Sequence, residues 1–143
     1  DKKHSPLIGW AADGFPIYNL YGYKNRIGSS EGVKEYKTSF QLKSGSRPNK
    51  DGPGGNHDGA FSADYEYVSG SGDLDQCNGV KVITPEFPQG TYAYFLTQDW
   101  PIIPRCWSAE PDSSFNKRGR GPRSRGIRPT DCPKRKKGRP RRP

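Results

Sequence analysis

Hydrophobic and polar positions along the first 113 residues follow the period of strands and turns, and no window sustains the i, i+3, i+4, i+7 apolar stripe of an amphipathic helix. The strongest strand is predicted at residues 91–97 (TYAYFLT), where β-branched and aromatic side chains suit a pleated surface. Weaker strands are predicted at residues 15–20, 39–42, 64–68 and 80–83. Between them stand Asp13-Gly14, Ser44-Gly45, Asp58-Gly59, residues 69–72 (SGSG) and Asn78-Gly79, each suited to the positive φ that tight turns require. Residues 52–57 carry no pattern and are expected to form a mobile surface loop. The fold predicted is all-β or mainly β: a small, loop-rich, β-sandwich-like domain.

Charge divides the chain sharply. Residues 1–113 hold 11 Lys and Arg against 14 Asp and Glu, a net of −3, whereas residues 114–143 hold 13 against the single Asp131, a net of +12. The aromatics segregate the other way, 16 of 17 lying at or before Trp107. From Asn116 onward Ile127 and Cys132 are the only apolar side chains and five prolines interrupt any helix, so burial cannot offset the entropy of ordering. Two segments are therefore expected, a β domain over 1–113 and a disordered polycationic tail over 114–143. With no methionine anywhere and Asp1 at its head, the chain reads as processed, an N-terminal portion having been removed.

Other chemistry is sparse. No apolar run approaches the roughly 20 residues of a membrane span. There is no Gly-x-Ser-x-Gly elbow, no phosphate-cradling Gly-x-x-x-x-Gly-Lys, no His-Glu-x-x-His and no Cys-x-x-Cys, so the chain is read as a non-enzyme without a cofactor. The weak metal candidates are His4 and His57, which would need to converge with a carboxylate such as Asp13 or Asp58, and Asp73 with Asp75. The loop holding Asp73, Asp75 and Asn78 departs from the calcium-loop pattern, because Cys77 stands where an oxygen ligand is needed.

Six segments in order, His4-Ser-Pro-Leu-Ile-Gly-Trp-Ala-Ala-Asp-Gly-Phe-Pro-Ile-Tyr18, Leu42-Lys-Ser-Gly45, His57-Asp-Gly-Ala-Phe61 with Asp64-Tyr-Glu-Tyr-Val68, Gly72-Asp-Leu-Asp-Gln-Cys-Asn-Gly79, Thr84-Pro-Glu-Phe-Pro-Gln-Gly-Thr-Tyr92 and Pro104-Arg-Cys106, resemble the YHYH-domain family. The resemblance implies a secreted protein whose domain begins upstream of Asp1. The Tyr-His-Tyr-His strand that names the family reads Tyr92-Ala93-Tyr94-Phe95 here. Residues two apart on a strand share a face, so a His-x-His pair would aim two imidazoles at one metal, whereas Ala93 and Phe95 offer no lone pair. Metal binding of a copper type, inherited from the family, is the alternative reading.

Three cysteines in such a chain point to oxidising surroundings, with one bond and one thiol left over. Cys77 with Cys106 is the pairing expected, pairing through Cys132 being the alternative; Cys132 then becomes a candidate for an intermolecular bond to another copy or to a missing N-terminal piece.

The tail carries the clearest physical function. Lys117, Arg118, Arg120, Arg123, Arg125, Arg128, Lys134, Arg135, Lys136, Lys137, Arg139, Arg141 and Arg142 form a polycation without an apolar face, which attracts a dense polyanion through charge and counterion release. Partners of that class are a sulfated glycan, an anionic mineral such as silica, or nucleic acid, the last because Lys136-Lys-Gly-Arg-Pro-Arg-Arg142 resembles an AT-hook. The function expected is that of a secreted matrix protein, self-assembling through its β domain into an oligomer or filament and binding an anionic matrix or mineral through its tail.

Overall fold

A computed structural model describes residues 3–50 and 52–115. The chain divides between Ser113 and Ser114, and the fold below is that of the first unit. Eight strands follow in chain order: β1 Leu7–Trp10, β2 Pro16–Tyr18, β3 Tyr21–Asn25, β4 Gly28–Glu35, β5 Phe40–Leu42, β6 Tyr65–Tyr67, β7 Gly79–Val82 and β8 Thr91–Phe95. A single 3-10 turn occupies Ser62–Asp64. The mainly β expectation holds, and all five predicted strands are present, four with slightly shorter bounds and the one predicted at 80–83 shifted by one residue to Gly79–Val82.

Four strands make one mixed sheet in the order β1-β2-β8-β7, and the pairs β3-β4 and β5-β6 form separate two-stranded ribbons. β1 and β2 run antiparallel, as do β7 and β8. The central pair is parallel, with Ile17 opposite Tyr94 and Tyr18 opposite Phe95. The pleat sends alternate residues of β8 to opposite faces. Ala93 and Phe95 join Tyr18, Tyr36, Leu74, Val80 and Val82 in one buried cluster. Tyr94 packs with Ala11 and Cys77, while Phe15, Ile17 and Tyr92 close over them. Both faces of β8 are thus covered, which is why its sequence reads as a nearly continuous apolar run rather than an alternating one. Each large side chain buried there contributes on the order of 1.5–3 kcal/mol.

Three strands, β1, β3 and β4, are not among those predicted. β4 reads GSSEGVKE, too polar to register as a strand, and it exists because it pairs with β3 from Tyr21↔Glu35 to Asn25↔Gly28. Asn25 Oδ1 accepts the Ile27 amide at 3.1 Å and tightens the turn between them. Tyr36, fully buried, locks this ribbon to the body: its hydroxyl donates to the Tyr23 carbonyl at 2.7 Å, and its ring lies where a Cβ on Gly22 would stand.

The patternless stretch around residues 52–57 is stitched at its neck. The Arg47 amide donates to the Gly55 carbonyl at 2.7 Å, the His57 amide to the Gly45 carbonyl at 3.1 Å, and Ser46 and Asn56 form an isolated antiparallel bridge. Trp100, at a cis bond to Pro101, stacks on Tyr65 at 4.5 Å between ring centroids and takes the edge of Phe40 at 4.9 Å, covering the β5-β6 ribbon. No helix among the described residues is long and apolar enough to cross a membrane.

Candidate functional site

The signature strand β8 is the centre of the fold's polar chemistry. On one face the Tyr94 hydroxyl donates to Asp13 Oδ2 at 2.5 Å, and the same carboxylate oxygen accepts the amides of Ser108 at 3.0 Å and Ala109 at 3.2 Å. The Tyr94 oxygen itself accepts the Ser108 amide at 2.7 Å. Two residues along, the Tyr92 hydroxyl donates to Asp75 Oδ2 at 2.7 Å, while Asp75 Oδ1 holds the amides of Cys77 at 2.8 Å and Gly79 at 3.0 Å. Burial, reinforced by the neighbouring carboxylates, pushes both phenols well above the ordinary tyrosine range. Around neutral pH both are therefore protonated and act as hydrogen-bond donors to the two carboxylates. The arrangement staples residues 108–109 and the turn at 75–79 to the sheet.

Beside this staple, Cys77 and Cys106 form a disulfide across 29 positions. This is the pairing expected from sequence, and not the alternative through Cys132. Cys132 lies outside the described residues, as do all thirteen tail cations from Lys117 to Arg142.

On the opposite face stands His4. Its Nδ1 lies 2.7 Å from the Ser5 carbonyl, which assigns the proton to Nδ1 and leaves the Nε2 lone pair buried without a hydrogen-bond partner among the described residues. The imidazole is walled by the rings of Tyr23 at 4.7 Å, Tyr18 at 5.1 Å and Phe95 at 6.2 Å. Burial lowers its pKa, and the Ser5 carbonyl and the Glu86 carboxylate oppose that shift. Glu86 accepts the Tyr18 hydroxyl at 2.8 Å, with Thr84 Oγ1 at 2.9 Å from the same oxygen. Burial raises Tyr18 to about 12.

The other sequence candidates rest on separate anchors. His57 Nδ1 meets the Ser44 carbonyl at 3.2 Å, at the edge of a cavity of about 340 Å³ that Arg47, Lys43 and Phe61 also line. Asp73 pairs with Lys34 and accepts the Lys37 amide at 3.1 Å, so both its oxygens are engaged, as are those of Asp75. Asn78 turns inward, its Nδ2 donating to the Phe95 carbonyl and to Thr97 Oγ1, each at 3.2 Å. Among the described residues no group of three His, Cys, Asp or Glu side chains gathers that could hold a metal ion. His4 brings one lone pair, and its neighbour on β8 is the carbon ring of Phe95, so the residues described do not compose a histidine metal centre.

Sequence reading missed the most buried ion pair among the described residues. Arg47 grips Asp64 through two parallel bonds, Nε to Oδ1 at 2.7 Å and Nη2 to Oδ2 at 2.6 Å, and also pairs with Asp58. Asp64, 1% exposed, further accepts the amides of Gly59 at 3.0 Å and Phe61 at 3.2 Å. Its carboxyl is held far below the usual range, first by Arg47. The one available signal was that Asp58 and Asp64 both stand in the segments carrying the family resemblance, whereas Arg47 stands in none.

Residues 1–109 match the family described as YHYH protein. The chain belongs to the YHYH family. No curated protein and no solved structure matches it. As a YHYH protein it carries Tyr92 and Tyr94 as staples on one face of β8, and Ala93 and Phe95 as core carbon on the other.

Proposed function

We propose that this YHYH protein is a non-catalytic, secreted matrix component whose tail binds an anionic polymer or mineral and whose β domain self-associates. The observation that carries the reading is the charge segregation, a net of +12 in residues 114–143 against −3 in residues 1–113. A dense cationic segment binds sulfated glycan or deprotonated silica by releasing counterions, with little demand for shape. The opposite signs also let the tail of one copy attract the domain of the next, which favours oligomers or filaments at low salt. A domain closed by the Cys77–Cys106 disulfide supports an oxidising, extracellular setting. Cys132 is the residue through which a covalent partner would be joined.

The test is full-length protein against a variant in which the thirteen Lys and Arg of the tail are Gln. Binding to heparin and to silica particles is measured from low to high salt. Native protein is expected to bind with an affinity that falls steeply and linearly in log–log form, losing on the order of 10³-fold or more between 50 and 200 mM salt, while the variant binds at least a hundredfold more weakly throughout. Equal binding by the two proteins overturns the reading. A preference for A·T-rich duplex over heparin at equal salt would move it to the DNA-binding alternative through residues 136–142.

A further inference from the structure

A groove of about 610 Å³ opens between the tip of the β3-β4 ribbon and the β7-β8 pair, and its lining is mainly apolar. Phe15 and Tyr92, whose rings meet at 5.0 Å, stand at one end, and Val82 and Ile83 along one wall. Ile27 forms the lip and is 81% exposed, an isoleucine left in water at a hairpin tip that could have been polar at no expense to packing. The Ile83 amide donates to the Arg26 carbonyl at 2.8 Å, which fixes the hairpin tip against the end of β7, so the two walls are held together by backbone. The volume falls within the roughly 300–1,000 Å³ of small-molecule sites.

Charge selects the occupant. Two side chains of the lining are cationic, Arg26 and Lys81, and no Asp or Glu contributes to it, although the domain as a whole carries a net of −3. Lys81 makes no ion pair among the described residues, and Arg26 donates from Nη2 to the Asp73 carbonyl at 2.7 Å, leaving its other donors without a protein acceptor there. Asp73 and Asp75 line the adjoining cavity that Arg26 and Lys81 also border, but both acids are already engaged: Asp73 is held by Lys34, and Asp75 by Tyr92 and two backbone amides. We propose that this groove binds a small amphiphilic anion, its apolar tail laid against Phe15, Val82 and Ile83 and its carboxylate or sulfate placed between Arg26 and Lys81. The site lies wholly within the β domain and does not depend on the matrix-binding reading.

Dodecanoate, kept below its aggregation concentration, is titrated calorimetrically into the full-length protein and into Lys81→Glu and Ile27→Asp variants. Acetate and dodecyltrimethylammonium are the comparison ligands. Both substituted side chains are exposed, so the fold is expected to survive, and both variants keep every cation of the tail. Expected are one dodecanoate per chain, at least tenfold weaker binding in each variant, and no comparable binding of acetate or of the cationic amphiphile. Three results would each overturn the proposal. Variants that bind dodecanoate like the native protein would place the anion on the tail. Equal binding of dodecyltrimethylammonium would show a groove indifferent to charge. An Ile27→Asp variant that changes only sedimentation, with no effect on dodecanoate, would make the occupant a second copy of the chain.

Discussion

Gly79 stands directly beneath the Tyr92 hydroxyl: a Cβ built there would come within 2.1 Å of that oxygen. Nothing larger than hydrogen fits without driving the ring away from Asp75. Gly79→Ala is therefore expected to destabilise the domain by about 1–3 kcal/mol, read by urea denaturation, and to release the Tyr92 absorbance to titrate at lower pH. His4 makes a prediction of opposite character. Its folded-state pKa lies below the ordinary 6.5, so the unfolded chain takes up its proton first as the medium is acidified. Its contribution is complete above pH 6.5 and declines below it; His4→Phe should flatten the stability profile below pH 6.5, and an unchanged slope would refute the assignment. The importance of Tyr92 and Tyr94 was legible in the sequence through the strand that carries them. Their carboxylate partners were not, because Asp13 lies 81 positions from Tyr94, and only the finished sheet brings them together.

Elements whose burial is encoded in their own side chains, β8 above all, were legible from the chain. Those that depend on a distant neighbour were not: β1 exposes Ile8 and Trp10, and β4 is polar along its length. The segment from Lys43 to Asp64 is the clearest case. Its centre, residues 52–57, carries no pattern in the sequence, and one guanidinium reaches Asp64, Asp58 and the Gly54 carbonyl while lying over the Phe61 ring at 4.7 Å. Removing the carboxylate charge should undo this. Asp64→Asn is expected to open the segment to limited proteolysis between residues 48 and 60 while the β7-β8 pair stays protected from hydrogen exchange. Cleavage at the native rate would show that the neck hydrogen bonds suffice without the ion pair. Because the Asp64 pKa is depressed, the same protection is expected in native protein above the ordinary carboxylate range and to weaken as the pH falls below it.

For the molecule as a whole, the disulfide closes a long covalent loop through the folded unit. Cys77 and Cys106 lie 29 positions apart, and restricting the unfolded chain by a loop of that size stabilises the native state by about 3–4 kcal/mol. Full reduction should lower the unfolding free energy by that amount in a urea titration, and no change would assign the stability to the aromatic clusters alone. Both halves of this bond were legible, since each cysteine stands in the aromatic-rich part of the chain and Cys132 does not.

The parallel pairing at the middle of the sheet sets an order of events for a chain emerging from a ribosome. Residues 16–18 leave the exit tunnel long before residues 94–95, their partners, have been made. Until then β1 and β2 are a two-stranded fragment of a kind that is marginal in water. Stability must arrive late, when the eighth strand slides between two waiting edges, and nascent chains arrested before Phe95 should lack the central sheet altogether.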